Sequence, residues 1–172
     1  MKSARRLLVF GSLLLALSQG AFAAHDWTAV ASTGAIDNTS LGFFAFSGPT
    51  LTYLTGSNVL SPVIARYNVT NTFDNNSNPD MPAWTTLEFG YSAPAGLPAG
   101  AMSATLFQVE PCSGSQTTIC TVNSAAGPAN TCGTCTFNST TFDFAHHLYY
   151  VEVILTRPAP NLLPAAKTLR IF

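Results

Sequence analysis

The chain has 172 residues, with seven Lys or Arg against eight Asp or Glu, and charged residues make up only 9% of it. A balance this thin excludes an electrostatic nucleic-acid binder, which needs clustered cations to displace counterions from phosphates. It equally excludes a polybasic membrane-surface protein.

Residues 1–23 predict an export signal. Lys2, Arg5 and Arg6 open it, an apolar run follows over 7–17, and Ala21-Phe22-Ala23 supplies small residues before a cut at Ala24. The apolar run is too short to cross a hydrocarbon core of about 30 Å as a helix. Removing 1–23 leaves four bases against eight acids, a net charge of −4, in one domain over 24–172. Ser, Thr and Asn hydrate such a surface in place of charge, and recurring aromatic and β-branched residues argue against disorder. The expected destination is the cell surface or extracellular space, with the periplasm as the alternative.

From Ala24 on the periodicity is two, not 3.6. Residues 27–32 predict a short strand. Residues 43–46 and 51–54 flank the turn signal Ser47-Gly48-Pro49. In 63–73, Val63, Ala65, Tyr67 and Val69 alternate with Ile64, Arg66 and Asn68, the pattern of a half-buried strand. Leu87, Phe89 and Tyr91 repeat it, 102–110 continues it, and 117–123 returns beside 102–110 as a hairpin. In 147–157, Tyr149, Val151, Val153 and Leu155 share one face, and 168–172 is a final strand. No amphipathic helix is apparent. About eight or nine short strands between Gly, Pro and Asn clusters predict an all-β fold, an antiparallel, jelly-roll-like β-sandwich.

Within that frame the chemistry-bearing residues are few. Asp74, Asn76, Asn78 and Asp80 place oxygen donors at alternate positions, as calcium loops do, so calcium is the one candidate ion and no other cofactor is implied. Pro79 and Thr85 depart from the Gly and Glu of an EF-hand, and a solvated connection accounts for the same residues. Trp84 and Tyr150 are the candidate sugar-stacking aromatics, with core burial the competing reading for Trp84. Tyr150 shares the parity of Glu152, opposite the apolar Tyr149 face, which points it outward.

Cys112, Cys120, Cys132 and Cys135 cluster, and export makes two disulfides the expectation. Cys132-Gly133-Thr134-Cys135 has redox spacing, but no helix or βαβ unit follows it. A turn at Ser113-Gly114 leaves Cys112 and Cys120 too far apart to bridge each other, so bridges from these two to the 132/135 pair are expected. Adjacent His146 and His147 point to opposite faces of a strand and cannot readily share one metal. No Gly-x-Ser-x-Gly elbow or converging base and nucleophile marks an enzyme.

The residues therefore predict a non-enzymatic exported protein, structural or adhesive, self-assembling through edge strands, because few charges guard those edges. The alternative is a monomeric carbohydrate-binding module assisted by calcium. Its partners would be surface glycans or copies of itself, not nucleic acid.

Overall fold

A computed structural model describes residues 25–71 and 81–172. Residues 1–23, expected to be the signal, and Asp74, Asn76, Asn78 and Asp80, the calcium candidates, lie outside the described residues.

Eleven strands follow in order: β1 (Trp27–Val30), β2 (Ala35–Ile36), β3 (Phe44–Ser47), β4 (Thr50–Tyr53), β5 (Val63–Val69), β6 (Thr86–Ala93), β7 (Met102–Val109), β8 (Gln116–Asn123), β9 (Ala129–Thr136), β10 (Leu148–Leu155) and β11 (Ala165–Ile171). One sheet runs β3-β4-β11-β6-β9, with β1 also on β11, and the other runs β2-β5-β10-β7-β8. All pairings are antiparallel. From β4 onward successive strands mostly alternate between sheets, giving 4-11-6-9 over 5-10-7-8, the connectivity of a jelly roll. The expected fold is therefore present, with two strands beyond the sequence reading. β2 is only two residues long, and β9 is built from Thr, Asn, Gly and Cys without apolar alternation.

The alternating positions close the core as their parity requires. Val63, Ala65, Tyr67 and Val69 on β5 and Tyr149, Val151, Val153 and Leu155 on β10 are buried. They pack against Leu87, Phe89 and Tyr91 on β6 and Leu169 and Ile171 on β11 in one core. Each Val, Leu, Ile or Phe among them contributes about 1.5–3 kcal/mol by leaving water. No helix among the described residues is long and apolar enough to cross a membrane.

Only one of the two expected disulfides is present. Cys120 on β8 joins Cys135 on β9, Cα to Cα 6.1 Å, tying the two sheets together at their edges. Gly133 permits this approach, since a Cβ there would lie 2.7 Å from Val122 Cγ1 on β8. Cys112 and Cys132 are free and exposed. Parity explains half of this correction. Positions 132 and 135 are an odd number of residues apart on a strand, so Cys135 points inward and Cys132 outward. Direction explains the rest. β8 and β9 run past each other in opposite senses, so the turn carrying Cys112 and the middle of β9 lie on opposite sides of the bridge. At about 3.3 Å per residue their separation is on the order of 20 Å, against about 7 Å for a bond.

Candidate functional site

The outer face of the β2-β5-β10-β7-β8 sheet should be uniformly polar if it served only to meet water. It is not. Cross-strand register lays it out in rows. Asn68, Tyr150, Phe107 and Thr118 form one row across β5, β10, β7 and β8. Arg66, Glu152, Thr105 and Thr121 form the next. Above the first row, Leu148, Val109 and Gln116 align, and Leu148 is 57% exposed.

At the centre, the Phe107 and Tyr150 rings stack with centroids 5.0 Å apart and 18° between planes. Both are half-buried. The Tyr150 hydroxyl donates to Gln116 Oε1 at 2.9 Å, which fixes the ring's outer end. Partial desolvation raises the Tyr150 pKa, with the Glu152 charge adding to it, so the hydroxyl stays protonated and able to donate.

The charged row is organised by Arg66. Its Nε and Nη2 each lie 2.8 Å from Glu152 Oε2, while Nη1 donates to Asp37 Oδ2 at 2.7 Å. Both contacts to Glu152 fall on Oε2, so the second carboxylate oxygen is outside this ion pair. The Thr39 hydroxyl and amide donate to Asp37 Oδ1 at 2.7 and 2.9 Å. These two bonds, and then Arg66, hold the Asp37 carboxyl down to about 2. A depressed folded-state pKa means that Asp37 stabilises the fold fully above the ordinary carboxylate range. That contribution is lost as pH falls from about 4 toward 2. In an NMR titration Asp37 should keep its charge down to about pH 2, and Thr39→Val should move its midpoint upward.

Beside this face, a cleft of about 390 Å³ opens along the β5 flank, where Thr28, Thr33, Ala35, Arg66, Tyr67 and Asn68 are among its walls. It exists because β2 covers β5 only at Ala65 and Arg66. A cleft of about 570 Å³ on the opposite sheet includes Thr28, Glu88, Thr168 and Arg170. It has no aromatic wall, and its Arg170 is already bound to Asp26.

Of the residues singled out from sequence, Tyr150 sits at the centre of the aromatic face. Trp84 does not, and its role is corrected. It is 1% exposed, its Nε1 donates to His25 O at 3.1 Å, and its ring meets Phe142 and Phe144 edge to face. No face of it is left for a ligand. His146 is held by Asp143 at 2.8 Å and His147 lies 3.2 Å from Glu110, so the two histidines have separate partners. Among the described residues no three of His, Cys, Asp and Glu converge as a metal site. Phe107, Arg66, Asp37 and Gln116 were not anticipated. The signal for Phe107 was available, since it breaks the parity of Met102, Ala104 and Leu106 by placing an aromatic ring on the outward side.

No family model matches the chain, and no curated protein is similar to it. Among solved structures, it is similar to a carbohydrate-binding module, CBM36, in complex with calcium and xylotriose, at TM-score 0.46 and 13% identity over 85% of this chain and 99% of that one. It is also similar to a CBM36 domain of a multidomain xylanase from the hindgut metagenome of Trinervitermes trinervoides, at 0.46 and 10% over 86% and 97%. The xylan-binding module CBM15 gives 0.48 and 13% over 86% and 95%. With every score below 0.5, these likenesses decide nothing about what this chain binds.

Proposed function

We propose that the chain is an exported, non-catalytic carbohydrate-binding module of the cell surface or extracellular space. Residues 1–23 are its export signal and 24–172 its single domain. The Phe107–Tyr150 stack is the observation that carries the reading. Aromatic rings on an outer sheet face, where burial does not require them, suit the C–H faces of a sugar ring. The groups around them suit its hydroxyls. Arg66, Asn68 and Gln116 amide donors, a carboxylate oxygen of Glu152 and the Thr105–Thr121 hydroxyl pair supply both donors and acceptors. The Arg66–Glu152–Asp37 network holds its members in place before a ligand arrives, which lowers the ordering cost of binding. An adhesive role follows from the same face wherever the glycan is part of a surface.

Tyr150→Ala and Phe107→Ala test this. Titrated with short gluco-, xylo-, manno- and galacto-oligosaccharides, each variant should bind its best ligand at least about tenfold more weakly, about 1.4 kcal/mol. Each variant should stay folded, losing about 1–2 kcal/mol for the half-buried stacked ring, well below the cost of a core aromatic. Failure of the unaltered protein to bind any of these sugars sinks the reading. Calcium enters it through Asp74, Asn76, Asn78 and Asp80 alone, so weaker binding in EDTA supports that role and equal binding removes it.

A further inference from the structure

The row Thr118, Phe107, Tyr150 and Asn68 crosses β8, β7, β10 and β5, spanning three strand spacings, about 14 Å. Its Asn68 end runs into the cleft of about 390 Å³ on the β5 flank, which shares Arg66 and Asn68 with the aromatic face. On the far side Trp27, Thr28 and Ala29 of β1, in the opposite sheet, close the cleft.

Backbone direction decides what this cleft offers. Ile64 O accepts from the Asp37 amide at 2.9 Å, and the Ile64 amide donates to Ser40 Oγ at 2.9 Å. Backbone groups alternate between the two flanks of a strand, so Ile64, Arg66 and Asn68 all turn theirs away from β10. Arg66 meets Ala35 of β2. Continued by two residues, the same register would set Thr33 against Asn68, but the chain forms a 3-10 turn at Ala31–Thr33 instead. Two features of Tyr67 hold that turn in place. Its hydroxyl donates to Ala31 O at 2.6 Å, and its ring needs Gly34, where a Cβ would lie 2.5 Å from Tyr67 Cζ. The N–H and C=O of Asn68 therefore open into the cleft with no hydrogen-bond partner among the described residues.

We infer that this cleft is the terminal subsite of the glycan face. It takes a neutral end unit, the last residue of a chain or a one-residue side branch, whose neighbours lie on Tyr150 and Phe107. The inference rests on the glycan-binding reading above. One donor and one acceptor fixed side by side match a pair of sugar hydroxyls, and Thr28 and Thr33 add hydroxyls of their own. Ala29 and Ala35 give the ring an apolar surface. The volume lies near the lower end of the range for ligand pockets, about 300–1,000 Å³, which suits one small unit. β1 blocks any continuation beyond it. An extended peptide fits poorly, because β5 ends at Val69 and offers it a single residue to pair with. An acidic sugar fits poorly too, because Arg66 is already bound by Asp37 and Glu152.

Calorimetry with linear tetraoses of the gluco, xylo, manno and galacto series tests this. Each is used unmodified, with a fluorophore on the reducing end, or with a bulky ether on the non-reducing end. Xylosyl- and galactosyl-branched gluco- and manno-tetraoses complete the set. A chain end in the cleft should cost the unaltered protein at least tenfold in affinity when that end is modified, and little when the other is. A side branch there should instead gain at least tenfold over the linear parent. Thr33→Trp and Ala35→Trp fill the cleft from two exposed walls, and each should stay folded by circular dichroism and abolish the difference. If both ends count alike and a branch gains nothing, or if the filled variants keep the difference, the inference falls while the Tyr150–Phe107 face stands. Failure of every tetraose to bind overturns both.

Discussion

Arg157→Met should destabilise the fold by about 4 kcal/mol and lower its Tm by about 10 °C. Arg157 is 3% exposed, and no carboxylate pairs with it among the described residues. Backbone carbonyls replace the counter-ion. Nη2 donates to Ser57 O at 2.7 Å and Val59 O at 2.8 Å, Nε reaches Val59 O at 3.2 Å, and Nη1 donates to Pro160 O at 2.7 Å. The guanidinium also lies 4.0 Å over the Tyr53 ring. One side chain thus pins the loop between β4 and β5 to the loop between β10 and β11. Methionine matches much of its length but supplies no donor, so several carbonyls lose their partners at once, each at about 1–3 kcal/mol if it stays dry. Arg157→Lys should recover only part of the loss, because an ammonium is a point charge and not a planar fork. Thermal unfolding of both variants checks this, and a Tm within a degree or two of the unaltered protein would contradict it.

Trp84→Ala should cost about 4 kcal/mol, in the range for a large aromatic removed from a core. Trp84 meets Phe142 with centroids 4.9 Å apart and planes at 85°, and Phe142 in turn contacts Phe137, Phe144 and Tyr149. The Tyr149 hydroxyl ties that cluster to the chain before β10, accepting from the Asp143 amide at 2.8 Å and lying 3.0 Å from Thr141 O. A hole there has few routes to collapse. Denaturant unfolding measures the loss, while sugar affinity per folded molecule should stay unchanged. The reverse pattern, a stable protein that no longer binds, would return Trp84 to the ligand site.

Trp84 also marks where strand parity stops, since in the sequence its burial rests on residue type alone. Strand parity identified the inward faces of β5, β6 and β10 because a period of two is a local property, visible in a few residues. It placed Tyr150 outward for the same reason. Trp84 precedes β6, outside any alternating run, and its burial depends on Phe142 and Phe144, far along the chain. β9 escaped notice because its inner face is made by Gly133 and a disulfide, with no apolar alternation to read. Arg66 and Glu152 could each be placed outward, but their pairing needed the β5–β10 register. The second expected disulfide failed on one point the sequence already contained, the odd spacing of Cys132 and Cys135, and on one it did not, the opposed directions of β8 and β9.

The most direct test of the glycan-binding face is a heteronuclear NMR titration of the folded domain with the best-bound oligosaccharide from the panel. Amide shifts should change along Asn68, Tyr150, Phe107 and Thr118 and in the adjoining Arg66–Glu152 row, and stay still on β6, β9 and β11. Shifts confined to the opposite sheet, around Glu88 and Arg170, would place the ligand in the wrong cleft and contradict the account.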